Sequence, residues 1–532
     1  MTMNRRVFVG LTAGLMAGGA TPYGALAQDT PRQGGTLIIN LEPEPSSFIL
    51  NANTAQILAG QVADGLVEYD QDFRPTPALA ERWETSPDGK TITFHLRRGV
   101  TWHDGKPFTS ADVQYTLLEV VKKFNPRASS AYKNLDAIDT PDPHTAILRF
   151  SQPSAAVWAV LSYTEAPILP KHLYEGTAPL TNPWNTKFVG TGAFIFKEWR
   201  RGEYILLERN PNYWRAKPLI NRIRAKIITD AGARLAALEA GEVHYSPFSP
   251  VSPSDVPRLR NTNNLTVETG GYGAFLPMLF LDFNLERPQF SDKRVRAAFA
   301  HAIDRQGLVD RVWFGLGKAA TGPIPSSQKA FYTPETTQYA FDPAKAERLL
   351  DEAGFARGGD GVRMRINHYT MPYGTTYTRS GEYIRESLRQ IGVEVQLITL
   401  DIGQYMRQIF TERDFDTMTS AYIVGADPQL GVIRRYWSKS FQKGVPFTNG
   451  SSYSNPELDK VIDGIFTESD VEKRRQLLFQ LQKMAQEDIP SINLMEIQHF
   501  SVVSKRVKGL STFPDGFGKP LSHVWLSGDG NQ

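Results

Sequence analysis

The spacing of apolar residues along the chain predicts a mixture of β-strands and amphipathic α-helices. Residues 36–41 and 91–96 are rich in apolar and β-branched side chains and are predicted strands. From Val295 onward, apolar residues recur three and four positions apart, as on one face of a helix, and Ser291 is the predicted N-cap of that helix. This mixture favours α/β domains over a helical bundle or an all-β sandwich.

Two later segments carry clear start and stop signals for helices. Asp342 and Pro343 open one helix, and Gly354 ends it. Asn455 and Pro456 open another, which has apolar residues along one face.

The segment from residue 364 to residue 423 alternates between the two kinds of element. The predicted order is strand 364–369, helix 376–390, strand 393–399, helix 404–410 and strand 416–423. This order predicts largely parallel strands joined by helical crossovers. Because ligands bind at the carboxyl ends of such strands, the loops 370–375 and 425–428 are candidate parts of a binding site.

The length and composition describe an ordinary globular chain of more than one domain. A chain of 532 residues is too long for one hydrophobic core, so two or three domains are expected. The formal net charge is +3, and two of the positive charges, Arg5 and Arg6, lie in a leader without acidic residues. The rest of the chain is therefore nearly neutral, which gives no electrostatic reason to expect nucleic acid or anionic membrane as a partner.

The absence of cysteine narrows the chemistry further. Disulfides, zinc–thiolate sites, iron–sulfur clusters, a cysteine nucleophile and a lipid-modified cysteine anchor are all excluded. We predict no cofactor and no metal site. The nine histidines are scattered, and isolated histidines are typical of structural positions.

Residues 1–27 predict an export signal. Arg5 and Arg6 precede the apolar run 7–20, and residues 25–27 form an A-x-A cleavage site, so cleavage is expected after Ala27. The paired arginines favour the twin-arginine pathway, with a general secretory leader as the alternative. The apolar run is too short to span a membrane, so we expect a freely diffusing periplasmic protein.

One stretch carries a family resemblance. Residues 94–113 read Phe-His-Leu-Arg-Arg-Gly-Val-Thr-Trp-His-Asp-Gly-Lys-Pro-Phe-Thr-Ser-Ala-Asp-Val. This stretch resembles the signature of the peptide and nickel class (family 5) of solute-binding proteins of ATP-binding-cassette (ABC) importers, which includes dipeptide- and oligopeptide-binding proteins. Supporting matches occur in the family's order at residues 34–37, 78–83, 190–194, 210–214, 237–242, 292–303 and 453–459.

The resemblance implies an α/β, two-lobed periplasmic binding protein fold with an additional inserted domain (cluster C, type II). Mapped onto this chain, lobe I comprises residues 28–66, 190–284 and 500–532. The inserted domain comprises residues 67–189, and lobe II comprises residues 285–499. The two passages of the chain between the lobes would form a hinge. Binding of the ligand would bring the two lobes together around the ligand.

The resemblance also implies candidate ligand contacts. In dipeptide-binding members an arginine pairs with the ligand carboxylate, and Arg379 falls in the matching place, although a solvated surface arginine is equally compatible with the sequence. Val424 occupies the position of the aspartate that binds the ligand amine, so a free-amine dipeptide is disfavoured. Asp427 could replace that aspartate, or it could cap the turn at Pro428.

Aromatic residues near the candidate loops would suit stacking on an apolar side chain or a sugar, although packing in the core is the alternative for each. They are Tyr373, Tyr377, Tyr422, Trp437 and, from the other lobe, Phe48.

The predicted function is binding, without chemistry, of a peptide or peptide-like small polar ligand. The protein would act as a monomer and deliver its ligand to the importer's permease subunits. An opine, a sugar conjugate or an oligosaccharide is the alternative ligand. A secreted hydrolase is the alternative of another class, but the sequence contains no G-x-S-x-G, H-E-x-x-H or G-x-x-x-x-G-K-[ST] motif. A periplasmic chaperone or a sensor partner also fits the sequence.

Overall fold

Three large β-sheets organise the protein in the computed structural model. The model describes residues 30–48, 55–125, 127–513, 515–516 and 518–528. The predicted leader and the cleavage after Ala27 lie outside the described residues. In the described part of the chain, no helix is both long and apolar enough to cross a bilayer.

The seven-stranded sheet is assembled from distant parts of the chain. Its strands, in spatial order, are Leu265–Glu268, Ser501–Ser504, Tyr245–Ser246, Thr36–Leu41, Arg222–Ile227, Tyr204–Arg209 and Phe194–Arg200. The predicted strand Thr36–Leu41 is confirmed, and it pairs in parallel with Arg222–Ile227. Its apolar side chains Leu37, Ile39 and Leu41 belong to one buried core.

The six-stranded sheet contains the predicted parallel segment. Its strands, in spatial order, are Gly317–Ala319, Ser491–Ile497, Pro277–Phe283, Thr417–Ile423, Met364–Thr370 and Val393–Thr399. Met364–Thr370 pairs in parallel with both Val393–Thr399 and Thr417–Ile423, as the sequence predicts. The strands outside this segment pair antiparallel, so the whole sheet is mixed.

The strand Pro277–Phe283 in the middle of this sheet is buried on both faces. All seven of its residues are buried. Leu279 and Leu281 point into the core on one face, while Met278 and Phe280 belong to the core on the other. The predicted limit of lobe I at residue 284 places this strand in the first lobe, whereas its hydrogen bonds place it in the six-stranded sheet.

The four-stranded sheet lies within the predicted insertion. Its strands, in spatial order, are Ala80–Thr85, Thr91–Leu96, Thr145–Phe150 and Leu135–Asp142. It has a hydrophobic core of its own that includes Phe94 and Leu148, and Leu430 from the segment after the strand Thr417–Ile423 packs into this core. The small two-stranded sheets pair Val67–Tyr69 with Pro75–Pro77, and Val507–Lys508 with Trp525–Leu526.

Helices surround the sheets. The described α-helices of five or more residues span Ala55–Val62, Ser110–Tyr115, Ala231–Glu239, Val256–Arg260, Lys293–Ala302, Arg305–Arg311, Pro343–Glu352, Thr375–Gln390, Ile402–Met406, Pro456–Thr467 and Val471–Asp488. Asp342 and Asn455 cap their helices as predicted, and Gly354 follows the first of these helices at a φ of 87°. The predicted helix 404–410 begins at Ile402 and continues from Arg407 to Glu412 with wider π-helical turns.

The predicted cap at Ser291 is wrong. Asp292 caps the helix Lys293–Ala302, and its carboxylate accepts the Arg294 N–H at 2.8 Å. The backbone explains the difference, because Ser291 is helical in φ and ψ whereas Asp292 is extended, as an N-cap must be. The Ser291 hydroxyl instead donates to the Pro288 carbonyl oxygen at 2.7 Å.

Candidate functional site

A cavity of about 830 Å³ lies where the three sheet-based units meet. The unit around the seven-stranded sheet contributes Phe48 and residues 248–253, and the unit around the four-stranded sheet contributes Arg127 and Tyr163. The six-stranded unit contributes residues 373–377 among others. The volume is in the range of pockets that hold small organic ligands.

Two neighbouring passages of the chain connect the seven-stranded and six-stranded sheets. They are residues 269–276 and 498–500. The Gln498 Nε2 group donates to the Thr269 carbonyl oxygen at 2.9 Å, so the two passages are tied together. His499, in the second passage, lines the cavity. Short connections of this kind allow packed lobes to rotate about them.

Three aromatic residues, Trp313, Tyr373 and Tyr377, form an aromatic corner near the loop that connects the strand Met364–Thr370 to the helix Thr375–Gln390. The rings of Tyr373 and Tyr377 meet edge to face at 5.9 Å, and Trp313 meets Tyr377 at 5.3 Å. The Trp313 indole donates to the Ser380 hydroxyl at 3.1 Å, which fixes its orientation. All three rings line the cavity, and Tyr373 is 49% exposed. The corner is a rigid apolar surface suited to stacking.

A second aromatic group comes from the strand Thr417–Ile423. Tyr422 packs edge to face on Phe280 at 6.0 Å and on Phe447 at 5.7 Å. Its hydroxyl donates to the Thr448 carbonyl oxygen at 3.2 Å. Burial raises the pKa of Tyr422 to about 12, so its hydroxyl stays protonated at neutral pH. Tyr422 and Phe447 form part of the cavity wall.

The structure brings three of the predicted site residues to the cavity. Phe48, Tyr373 and Tyr422 line it, as does Tyr377. Phe48 is also packed in the core against Phe188, with ring centroids 6.0 Å apart, so little of its ring is free for a ligand. The role of each as a ligand contact stays a prediction.

Val424 and Asp427 lie elsewhere, because the loop after the strand turns into the protein. Val424 is fully buried in the hydrophobic core on one face of the six-stranded sheet. The Asp427 carboxylate binds Arg474 at 2.8 and 2.9 Å and accepts the Gln429 N–H at 2.9 Å. Asp427 therefore holds the turn at Pro428, the alternative that the sequence left open.

Arg379 and Trp437 also lie outside the cavity wall that the described residues form. Arg379 is exposed on the helix Thr375–Gln390, two residues past Tyr377, the last lining residue of this helix. Trp437 packs edge to face on Phe466 at 5.0 Å. Of the two candidate loops, residues 373–375 of the first reach the cavity wall, whereas residues 425–428 are not among the lining residues. The direction of each side chain depends on helix rotation and on packing that sequence spacing does not fix.

Sequence reasoning missed several residues of the cavity wall. Trp313, Phe447 and the arginines Arg127, Arg234 and Arg434 all line it. They come from separate segments and from all three units, so no local motif links them. The one available signal was their type, because tryptophan, phenylalanine and arginine are enriched at binding surfaces.

The cavity contains one serine–histidine pair, which bears on the hydrolase alternative. The Ser249 hydroxyl lies 3.0 Å from Nδ1 of His499. Burial lowers the pKa of His499 to about 4, so the ring is neutral at neutral pH. Among the described residues, no carboxylate contacts this ring to orient it and stabilise its charged form, as catalytic triads require. Nor do the described residues include a group of three histidine or acidic side chains placed to hold a metal.

The arrangement of lobes, hinge passages and enclosed cavity defines a two-lobed solute-binding fold. Residues 74–444 match the family model described as bacterial extracellular solute-binding proteins, family 5 middle. The match covers more than half of the chain, and the protein belongs to this family.

Individual relatives agree with this assignment over nearly the full length. The chain is 26% identical over 510 residues to the dipeptide-binding protein of Escherichia coli strain K12, covering 91% of this chain and 93% of the relative. The fold matches the ABC transporter substrate-binding protein CtaP of Listeria monocytogenes with a TM-score of 0.81 at 24% identity, covering 93% of this chain and 100% of the other. The fold also matches the binding protein AgaA of Agrobacterium tumefaciens R10, whose structure contains agropinic acid. The TM-score is 0.76 at 26% identity, and the match covers 93% of this chain and 99% of the other.

Proposed function

We propose that this protein captures a peptide-sized polar solute in the periplasm and delivers it unchanged to the permease of an ABC importer. The observation that carries the proposal is the cavity itself, which is walled by all three units and adjoins both hinge passages. A ligand in this position contacts every unit at once and so favours the closed arrangement. The export signal over residues 1–27 and a monomeric state belong to the same proposal.

A peptide-like solute without a free amine is the favoured ligand within this class. Neither Val424 nor Asp427, the positions expected to bind an ammonium group, lines the cavity wall that the described residues form, and the Asp427 carboxylate is already paired with Arg474. An ammonium ion in an apolar site would lose its hydration without compensation. The binding of agropinic acid by the relative AgaA shows that a non-peptide ligand fits this fold.

The test is stoichiometric binding accompanied by closure. Protein freed of retained ligand by unfolding and refolding is titrated by calorimetry with dipeptides, N-acylated dipeptides, opines and disaccharides. We expect one site per chain, recovery of the unaltered ligand, and a smaller radius of gyration in solution scattering at saturation, because the lobes close. A chemically altered ligand would favour the hydrolase instead. An unchanged radius with ligand bound would contradict the hinge.

A further inference from the structure

The positive and negative side chains of the cavity wall are unequal in number. Four of its residues carry formal charge at neutral pH, namely Glu42, Arg127, Arg234 and Arg434. Glu42 pairs with Arg234 at 3.7 Å. Arg127 pairs with Glu165, a buried neighbour behind the wall, at 2.7 Å. Two of the three arginines are thus neutralised by the protein.

Arg434 is the third arginine, and the described residues supply it with no carboxylate within ion-pair distance. Its Nε group donates to the Gly431 carbonyl oxygen at 3.1 Å, and its guanidinium lies 5.9 Å from the centre of the Tyr422 ring. Its Nη1 and Nη2 groups, which carry four of the five guanidinium N–H donors, have no hydrogen-bond partner among the described residues. Neither group is among the buried side-chain atoms of the described residues that lack a partner, so both are accessible and available to a ligand.

The electrostatic surroundings of Arg434 agree with an unmatched charge. Burial lowers the pKa of the Arg434 guanidinium, the neighbouring Tyr422 opposes this shift, and the positive charges of Arg127 and Arg435 add to it. Its sequence neighbour Arg435 differs, because it is buried in an ion pair with Asp282. Arg435 therefore belongs to the scaffold, while Arg434 faces the cavity with its charge uncompensated.

We propose that Arg434 binds a carboxylate of the ligand. This inference rests on the proposed function and narrows its ligand to an acid. A guanidinium can hold a carboxylate through two parallel hydrogen bonds, which gives orientation as well as affinity. The aromatic corner at Trp313, Tyr373 and Tyr377 would receive the apolar part of the same molecule.

The wall also argues against a free ammonium on that ligand. Glu42 is the lining carboxylate among the described residues, and it is engaged by Arg234. The preferred ligand is therefore a net anion, such as an N-substituted amino acid or an N-acylated dipeptide.

The binding test compares three matched probes by calorimetry, namely N-acetyl-phenylalanyl-leucine, its carboxamide, and the free dipeptide phenylalanyl-leucine. We expect the acid to bind the wild-type protein at least about tenfold more tightly than either other probe. Arg434→Gln should reduce this preference to about twofold or less, because it weakens binding of the acid more than binding of the carboxamide. The matched control is Arg385→Gln, which removes the same charge from an exposed position on the helix Thr375–Gln390 and should preserve the preference. Equal binding of acid and carboxamide, or a preference retained in Arg434→Gln, would overturn the inference.

A second measurement needs no ligand. If the Arg434 charge is uncompensated, its replacement by glutamine should raise the Tm of ligand-free protein above that of both wild type and Arg385→Gln. A Tm equal to or below that of the control would show that the fold already stabilises Arg434, and the inference would fail. If no probe binds any of the variants, the proposed function fails for peptide-like ligands, and the Tm comparison still decides the charge assignment.

Discussion

At the scale of single residues, the carboxylate of Asp427 illustrates how the fold decides whether a charged group stabilises the structure or is available to a ligand. Both of its oxygens bind the Arg474 guanidinium, and both side chains are less than a tenth exposed. Removing one member of such a pair leaves the other charge buried without a partner, which costs more than the pair itself contributes.

We therefore expect Asp427→Ala to lower the free energy of unfolding by about 3–5 kcal/mol, measured by urea denaturation. The affinity of the folded variant for its ligand should change little. The control is the double variant Asp427→Ala, Arg474→Met, which removes both charges and should recover part of the loss. A variant of normal stability that has lost its ligand would instead make Asp427 the ligand's anionic partner.

The same scale shows where sequence reasoning reached its limit. Arg379 and Arg434 are both arginines close to strand ends of the six-stranded sheet, yet Arg379 is exposed while Arg434 faces the cavity. Residue type predicts a capacity to bind a carboxylate. The direction of the side chain, which decides its use, depends on local backbone rotation and on neighbours from other segments.

At the scale of the element, the boundaries follow from local chemistry. The segment 364–423 was predicted with its strands, helices and parallel pairing because periodicity and short links between elements are local properties. The N-cap of the helix Lys293–Ala302 was misplaced by one residue, because serine and aspartate both cap helices and only the backbone distinguishes them.

This assignment predicts a difference between two neighbouring substitutions. Asp292→Ala should destabilise the protein by about 1 kcal/mol, because it removes the acceptor for the Arg294 N–H and a negative charge at the helix N-terminus. Ser291→Ala is the matched control and should lower the free energy of unfolding by only a few tenths of the effect of Asp292→Ala. Thermal unfolding of the two variants measures the difference, and a larger effect at Ser291 would contradict the observed cap.

At the scale of the whole molecule, histidines with a lowered pKa are spread over separate parts of the fold. Burial lowers the pKa of His103 to about 4, of His368 to about 3 and of His499 to about 4. His103 lies beside the four-stranded unit, His368 in the six-stranded sheet and His499 in a hinge passage. Each stays neutral in the folded protein at a pH where the unfolded chain binds a proton.

We therefore predict that His368 makes the stability of the folded protein sensitive to acid. This residue is fully buried, and its Nδ1 atom lies 2.9 Å from the Thr417 hydroxyl. As the pH falls below about 6.5, the unfolded chain gains a proton at this site that the folded protein cannot accept, so the folded state loses stability. Relative to His368→Gln, the wild type should lose about 1.4 kcal/mol per pH unit between pH 6 and pH 4.

Urea denaturation at several pH values measures this slope. The exposed His523 provides the matched control, His523→Gln, in which the ring removed is already in contact with water. Parallel pH profiles for the wild type and His368→Gln would show that burial does not keep His368 neutral.

The sequence by itself determined the family, the order of most elements and the parallel segment, because signature turns, helix caps and hydrophobic periodicity are encoded within a few neighbouring residues. Only the tertiary structure decided which strands share a sheet and which residues line the cavity. The strand Pro277–Phe283, for example, belongs to the six-stranded sheet. Arg127, Trp313 and Arg434 become neighbours of one cavity through contacts between segments far apart in the chain. A side chain's partners, and therefore whether its charge is already used by the fold, depend on those distant contacts and not on the residues beside it.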